Sequence, residues 1–409
     1  MKWNYVEMDK VANVVSGYGF PREYQGLTDE EFPFFKVGDM NLFGNEKYMT
    51  TVDNTISEAT LKKLKGKVFP QGTIIFPKIG AAIATNKKRL LTQSSVVDNN
   101  IMGLIPKSNI NSLYLFYWML QFDLRSVSNI GPVPSMRKSD VERISIPLPP
   151  ISEQRRIVEI LDQADALRKK RAEADEKAAR ILPALFYKMF GDPNENVSKD
   201  RFVKISEYAQ IIMGQSPPGD TYNNNQDGLP FFQGKMDFGD INPIPRKWCS
   251  APGRIAYKGD ILLCVRAPVG PTNLANQKSC IGRGLAAIRP IAGKSISEFL
   301  LYSIKAQEKQ IAQIGQGSTF SAIRRKDVEN ILIPRVNIDK QRIFSKFARD
   351  IMDCHLKLRI SENNFESLFA SLLYRAFTGD LTAKWREAHM KELLAEMKEQ
   401  AKELEEIKP

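Results

Sequence analysis

Few residues of this chain stand at spacings that could make or break covalent bonds. Gly293-Lys294-Ser295 could close a phosphate-cradling P-loop, but that loop needs a glycine at position 288, where Ile288 stands. Ser216-Pro-Pro-Gly219 shares only its prolines with the (Asn/Asp)-Pro-Pro-aromatic signature of amino-methyltransferases. Ser16-Gly-Tyr-Gly19 is a weak GxG and reads as a turn. The two histidines, His355 and His389, both fall in the C-terminal helical region, which disfavours a histidine base or nucleophile. Cys249, Cys264, Cys280 and Cys354 form no CxxC pair, so buried reduced thiols are expected rather than a zinc site or a disulfide framework. No acidic cluster suggests a carboxylate-metal nuclease. The chain is expected to have no catalytic residue, no metal and no cofactor of its own.

What remains is binding, and charge gives its first hint. The 409 residues carry 59 Lys and Arg against 47 Asp and Glu, a net charge of +12. The segment from Trp385 to Pro409 is mildly acidic, so the body before it is more basic still. A basic body suits nucleic acid, although charge alone does not decide the matter. No run of eighteen apolar residues exists, and the densest, Leu113 to Leu120, is too short to span a bilayer. Met1 to Lys10 lacks the apolar core of a signal peptide. A cytoplasmic protein without a membrane partner is expected.

The elements that would position a binding surface emerge from an internal repeat. A shift of 187 residues sets Asp140, Glu142, Ile144, Ile146 and Pro147 on Asp327, Glu329, Ile331, Ile333 and Pro334, and Gln154 and Arg155 on Gln341 and Arg342. Nearer the N-terminus the shift becomes 197, matching Val6, Ala12 and Gly17 with Val203, Ala209 and Gly214, and Pro33-Phe-Phe35 with Pro230-Phe-Phe232. The first copy therefore carries about ten extra residues between Met40 and Val68, which a surface loop could absorb. The expected architecture is mixed α/β with two duplicated domains, residues 1–149 and 191–337. Residues 150–190 and 338–384 form long helices, and residues 385–409 a helical tail.

Each α/β domain has short β-type runs (Thr73 to Phe76, Asp260 to Leu263) and helical stretches (Leu113 to Phe122, Ser297 to Ala312). Ser152 and Asp339 are candidate N-caps of the long helices. A 3-4 apolar spacing then runs through Ile157, Ile160, Ala164, Leu167, Arg171, Ala174, Ala178, Ile181 and Leu185. Its counterpart runs through Phe344, Phe347, Ile351, Cys354, Leu358, Ser361, Phe365, Leu368 and Leu372. The two stripes are expected to face each other in an antiparallel coiled coil; packing of each helix on its own α/β domain is the alternative. Pro183 should bend or end the first helix, whereas its counterpart Ala370 should not. A helix from Ser152 to Arg180 spans roughly 43 Å, which would hold two DNA readers about 13 base pairs apart.

Particular segments now carry a resemblance. Gly214 to Asn225 (GQSPPGDTYNNN), Gly228 to Phe238 (GLPFFQGKMDF), Arg266 to Gly270 (RAPVG) and Cys280 to Ala286 (CIGRGLA) resemble a target-recognition domain of type I restriction–modification specificity (S) subunits. Ile146 to Gln154 (IPLPPISEQ), leading into a long helix, resembles the family's spacer region. The first copy departs from this pattern: Lys78-Ile-Gly80 stands roughly where Arg266 to Gly270 does, and no CIGRG is present. The resemblance implies a non-catalytic DNA-binding subunit that reads an asymmetric bipartite site in double-stranded DNA. It also implies assembly with two methyltransferase (M) subunits, which use S-adenosylmethionine to methylate adenine, and with motor-nuclease (R) subunits.

Candidate DNA contacts follow from the side chains that offer donors and acceptors to base edges. In the second domain they are Gln215, Gln233, Lys235, Arg266, Arg283 and Gln316. In the first they are Tyr18, Arg22, Lys78, Lys87, Lys88 and Arg89. Arg137-Lys138 and Arg324-Arg325-Lys326 occupy equivalent places before each long helix and suit phosphates. The tail's apolar face (Leu393, Leu394, Met397, Ala401, Leu404) is expected to dock on an M subunit, with docking on the helix pair as the alternative. A stand-alone bipartite DNA binder and a coiled-coil interaction scaffold stay open as other functions.

Overall fold

Each α/β head begins and ends on one short antiparallel ladder. The computed structural model describes residues 3–129, 131–192, 201–315 and 322–406. In it Asn4–Glu7 pairs with Ser145–Leu148, setting Val6 opposite Ile146. Phe202–Lys204 pairs with Leu332–Pro334, setting Val203 opposite Ile333, the same positions of the repeat. The chain divides into two compact units, residues 1–170 with 363–409 and residues 171–362.

The first unit holds head 1. Its main sheet runs in the order Ala12–Ser16, Ile101–Pro106, Ile74–Pro77, Arg89–Leu91 and Tyr48–Met49. A smaller sheet joins Thr55–Ile56, Phe32–Phe35 and Val96–Val97. The helix Ser112–Gln121 starts at Asn111, whose side chain accepts the N–H groups of Leu113 and Tyr114 at 2.9 and 3.1 Å. Six consecutive residues from Tyr114 to Met119 are buried, because this helix is covered on several sides. The insertion between Met40 and Val68 is more than a surface loop. It supplies the edge strand Tyr48–Met49 and buries Lys47.

The second unit holds head 2. One sheet runs Ala209–Met213, Leu285–Pro290, Ile261–Cys264, Thr272–Leu274; the other runs Tyr222–Asn223, Trp248–Cys249, Leu229–Phe232, Ser279–Ile281, Ile255–Ala256. The helices Ser297–Lys305 and Glu308–Ile314 follow. Cys249, Cys264 and Cys280 are free and buried in this head, whereas Cys354, expected to be buried, lies on an exposed helix face.

The long helices are Ile151–Ala179, continued by Ile181–Phe190, and Ile338–Thr378. The break at Arg180 lies three residues before Pro183, whose ring removes an N–H and crowds the preceding turn. The second helix has Ala370 there and runs unbroken through 41 residues. Both start before the expected caps. Asn337 Oδ1 accepts the Lys340 N–H at 3.0 Å, and Ser152 lies inside its helix. The backbone and hydroxyl of Ser152 donate to Glu396 Oε2 at 3.1 and 2.9 Å, so a distant carboxylate satisfies that positive helix end.

Within each unit the helix stretches run antiparallel. In the first unit Thr382, just beyond the second helix, meets Glu153, while Arg168 meets Glu366 at 3.1 Å and lies over the Phe369 ring. In the second, Phe186 and Phe190 each pack on Phe344 with ring centroids 5.5 Å apart. The same stretches also pack on their own head: Ile157, Val158 and Leu161 share a core with Tyr114 and Tyr117, and Phe344, Ala348 and Met352 share one with Phe299 and Ile333. The expected stripes are therefore corrected. Ile157 and Phe344 are buried, and Ile160, Ala164, Ile351, Leu358 and Phe365 are half-buried. Leu167, Ile181 and Phe347 are about half exposed or more. A seven-residue repeat drifts off a straight helix of 3.6 residues per turn, and a face shared with a head broadens the buried set to Gln154, Val158 and Leu161. Arg171, on the expected stripe, is half-buried and paired with Asp175 at 2.6 Å.

One buried side chain fixes each head to its helix in the same way. Gln154 accepts the Asn111 N–H at 2.7 Å and donates to the carbonyls of Pro149 and Asn109 at 2.8 and 3.3 Å. Gln341 accepts the Ile296 N–H at 3.2 Å and donates to Lys294 and Val336 at 3.0 and 3.2 Å. Each amide ties the start of a long helix to the start of a head helix.

The tail packs on its own chain through part of its expected apolar face, while Leu394 stays exposed. Leu393 is buried, Leu404 packs on the core of the first unit, and Gln400 donates to the Pro149 carbonyl at 3.3 Å. Ahead of it, fully buried Glu153 accepts from Trp3 Nε1 at 2.9 Å, Thr382 Oγ1 at 2.6 Å and Arg386 Nε at 2.7 Å. A buried carboxylate needs such partners, and here they come from two separated segments, the N-terminal strand's approach and the stretch after the second long helix.

Candidate nucleic-acid interface

In head 2 the candidate loops are laced together by main-chain bonds. Gly214 N–H donates to Leu285 O, Gln215 N–H to Ile281 O, Gly282 N–H to Phe232 O and Val265 N–H to Gly284 O, all between 2.8 and 3.1 Å. Close approach explains the glycines. A Cβ on Gly214 would lie 2.2 Å from the Gly282 carbonyl oxygen, and one on Gly284 would lie 2.1 Å from that of Gln233. The backbone therefore holds Gln215, Gln233, Arg266 and Arg283 at one end of the head, with every one of these side chains exposed. Lys235, also exposed, follows on a short turn capped by Asp237, which accepts the Gln233 N–H at 2.6 Å. Gln316 lies outside the described residues.

Head 1 repeats this lacing with different side chains. Gly17 N–H donates to Ile101 O, Tyr18 N–H to Val97 O, Asp98 N–H to Phe35 O and Lys78 N–H to Asn100 O, at 2.9 to 3.0 Å. Tyr18 thus stands where Gln215 does. The bridges Ile79 to Ser135 and Arg266 to Ala322 make Ile79, not Lys78, the counterpart of Arg266. Two residues missed in the sequence occupy the remaining positions. Lys36 answers Gln233, with Asp39 accepting its N–H at 2.7 Å, and exposed Asn99 answers Arg283. Lys36 was legible one step beyond the matched Pro33-Phe-Phe35; Asn99 needed the hydrogen-bond register. Burial raises the carboxyls of Asp39 and Asp98 above the ordinary aspartate range.

The Lys87-Lys88-Arg89 run is the main correction here. Lys88 is buried and its ammonium donates to Asn86 Oδ1 at 2.8 Å and to the carbonyl of Phe122 at 2.5 Å, which ends the head helix. Burial pushes its pKa down to about 8. Arg89 is half-buried, donating to the carbonyls of Met40 and Lys88 at 2.9 Å. Lys87 bonds Asn41 Oδ1. Lys88 is thus a brace inside the head, unable to reach a base edge. Arg22 is exposed, and Tyr18 and Lys78 are half-buried.

The repeated basic clusters come to the same ends. Met136 N–H donates to Lys78 O and Ile323 N–H to Val265 O, both at 2.9 Å, which brings Arg137 beside the Lys78 loop and Arg324 beside the Arg266 loop. Arg137, Lys138, Arg324, Arg325 and Lys326 are all exposed. Lys138 pairs with Glu142 at 3.3 Å and Arg325 with Glu329 at 2.7 Å, partly neutralising the second cation of each cluster. Head 2 thus joins amide, guanidinium and ammonium donors on laced loops to a basic rim, and head 1 joins phenol, amide and ammonium groups to its own, side chains of the types able to bond base edges and phosphates.

Comparison with known proteins places this architecture. The type I restriction modification DNA specificity domain matches residues 1–176 and 199–378. The putative type I restriction enzyme MjaX specificity subunit of Methanocaldococcus jannaschii is 32% identical over 306 residues, covering 70% of this chain and 72% of that one. The EcoBI specificity subunit of Escherichia coli is 21% identical, over 99% of this chain and 92% of its own. Among solved structures, a chain from a study of complex assembly and conformational transition of the type I R-M system has a TM-score of 0.58 at 28% identity, covering 93% of this chain and 98% of its own. The S subunit from M. genitalium shares the fold, with a TM-score of 0.58 at 14% identity over 92% and 96%. The duplicated heads, the two long helices and these matches together make the chain a member of the type I restriction–modification DNA specificity family.

Proposed function

We propose that this chain selects the DNA target of a type I restriction–modification complex, each head reading one half of an asymmetric bipartite site. The observation that carries the reading is the laced end of each head: equivalent main-chain bonds present Gln215, Gln233, Arg266 and Arg283 in one, and Tyr18, Lys36, Ile79 and Asn99 in the other. One scaffold with two sets of side chains suits two different half-sites. Lys78, Arg22 and Lys235 flank these positions, and the Arg137-Lys138 and Arg324-Arg325-Lys326 clusters hold phosphates and fix register. The paired helices set an unread spacer.

The chain performs no chemical step in this reading. Two M subunits carry S-adenosylmethionine and methylate adenine in the site, and R subunits join for cleavage. No helix among the described residues is long and apolar enough to cross a membrane, and the proposed complex works on DNA in the cytoplasm. The test is to co-express the chain with the M subunit encoded beside it in a methylation-free host, then map modified adenines by single-molecule sequencing. A split motif with a fixed spacer is expected. A soluble complex that leaves no modified motif would overturn the proposal in favour of an interaction scaffold.

A further inference from the structure

The insertion in head 1 buries a cation against the first long helix. Lys47 Nζ donates to Asp162 Oδ1 and Tyr117 Oη, both at 2.8 Å, and lies 3.7 Å from Asp165 Oδ2. The ammonium also sits 4.7 Å from the Tyr117 ring centroid. Tyr117 donates its hydroxyl to Asp162 at 2.5 Å, and burial beside that carboxylate pushes its phenol well above the ordinary range. Asp165 is buried and also meets Arg168 at 2.8 Å and Lys169 at 3.3 Å.

Head 2 lacks this cluster at the matching place. Leu90 N–H donates to Lys47 O and Leu274 N–H to Ile241 O, which makes Ile241 the counterpart of Lys47. The repeat sets Arg349 on Asp162, Met352 on Asp165 and His355 on Arg168, while the glutamine bonds that match Ile296 with Asn111 put Tyr302 in the place of Tyr117. There a cleft of about 370 Å³ opens among Ile241, Tyr302, Met352 and His355. The ion pair at the Asp162 position, Arg349 to Glu298, is looser at 3.6 Å and more than half exposed on its arginine.

A buried ion cluster is a costly way to add stability, since apolar side chains of similar volume often do as well. It does fix direction. Gln154 already ties head 1 to the helix, and Asp162 and Asp165 lie roughly 12 to 17 Å further along the axis. The apolar core that Ile157, Val158 and Leu161 share with the head is non-directional, whereas polar ties at two separated points along the helix favour one angle. We propose that Lys47, Tyr117, Asp162 and Asp165 are positioning residues that set the angle of head 1 on the first long helix, and so the spacer length the protein accepts. This rests on the DNA-specificity reading above.

The test uses the same co-expression and adenine mapping on the full chain, comparing wild type with Lys47→Met, which keeps the side chain's bulk, and with the milder Asp162→Asn and Tyr117→Phe. Expected are unchanged half-site sequences, with methylation of sites one base pair longer or shorter rising roughly tenfold for Lys47→Met, the change given by about 1.4 kcal/mol of lost orientational preference. The milder variants should move the same way by less, and Lys47→Arg should restore part of the selectivity. If Lys47→Met does not fold, the expectation and its refutation pass to Asp162→Asn, whose carboxyl is partly exposed. Folded variants with unchanged spacer selectivity would overturn the positioning role alone. A wild type giving no split motif would overturn it together with the reading it rests on.

Discussion

Both heads hang from their long helices by a buried glutamine, yet among the described residues head 1 alone adds a buried lysine held between carboxylates of its helix. Gln154 and Gln341 bind the same three kinds of main-chain group. By contrast, the counterpart of Lys47 is Ile241, and that of Glu153, with its three donors, is exposed Lys340. Duplication thus preserved the joint that makes a head a head, while the contacts that stiffen it diverged. The general point is that a repeated fold is held by its main-chain partners, and individual copies are tuned by side-chain ions.

The largest expected break in this comparison comes from Glu153. Glu153→Ala leaves Arg386, Thr382 and Trp3 without their acceptor and should cost about 3–5 kcal/mol in the first unit; Lys340→Ala should stay within about 0.5 kcal/mol. Denaturant unfolding of both variants checks this, and equal losses would erase the asymmetry.

Lys88 gives the next effect. Its pKa of about 8 lies below the ordinary 10.5, so between these values the unfolded chain binds more protons than the folded one. The burial penalty is fully present below pH 8 and is relieved as pH rises towards 10.5. Relative to Lys88→Met, the wild type should gain on the order of 3 kcal/mol or less across that window. Melting temperatures of both proteins at pH 7.5 and 10 read this out, and a constant difference would mean Lys88 stays charged throughout. Head 2 has Thr272 at the matching strand position and should contribute no such dependence.

Gln154→Ala and Gln341→Ala sharpen the shared half of the comparison. Each leaves buried main-chain groups unsatisfied and should cost about 1–3 kcal/mol. Similar losses are expected in the two units; a difference greater than the whole effect of one would show that the joints are not equivalent.

The smallest effect concerns the basic rims. Arg137→Ala with Lys138→Ala, and Arg324→Ala with Arg325→Ala, should each weaken binding to all DNA sequences alike and reduce the salt slope by about two. Fluorescence anisotropy across a salt series reads both pairs. Loss confined to the target site would mean that the rim reads bases.

The duplication made the two heads, their helices and the interruption near Pro183 legible, because periodicity and proline act locally. The buried helix face was only half legible. Leu167 and Phe347 sit on a good heptad, but each helix also faces a head, and that shared burial selects Val158, Leu161, Ala348 and Met352 instead. Lys88 reads as one of three surface cations until its bonds to Asn86 and the Phe122 carbonyl draw it inside the head. Lys47 carried no signal at all, since its partners Tyr117 and Asp162 lie 70 and 115 residues away. Among the positions proposed for readout, Gln215, Gln233, Arg266 and Arg283 were named from residue type and motif, whereas Asn99 emerged only from the lacing of the loops.

The ladders Asn4–Glu7 with Ser145–Leu148 and Phe202–Lys204 with Leu332–Pro334 have an evolutionary consequence. Where a head's two chain crossings are hydrogen-bonded neighbours in the same register, a gene crossover at those strands would transplant a whole head with its chain ends already paired, leaving its face on the long helix as the one to be matched. Such a chain can change what it reads in one recombination event, and its two halves are free to follow separate lineages.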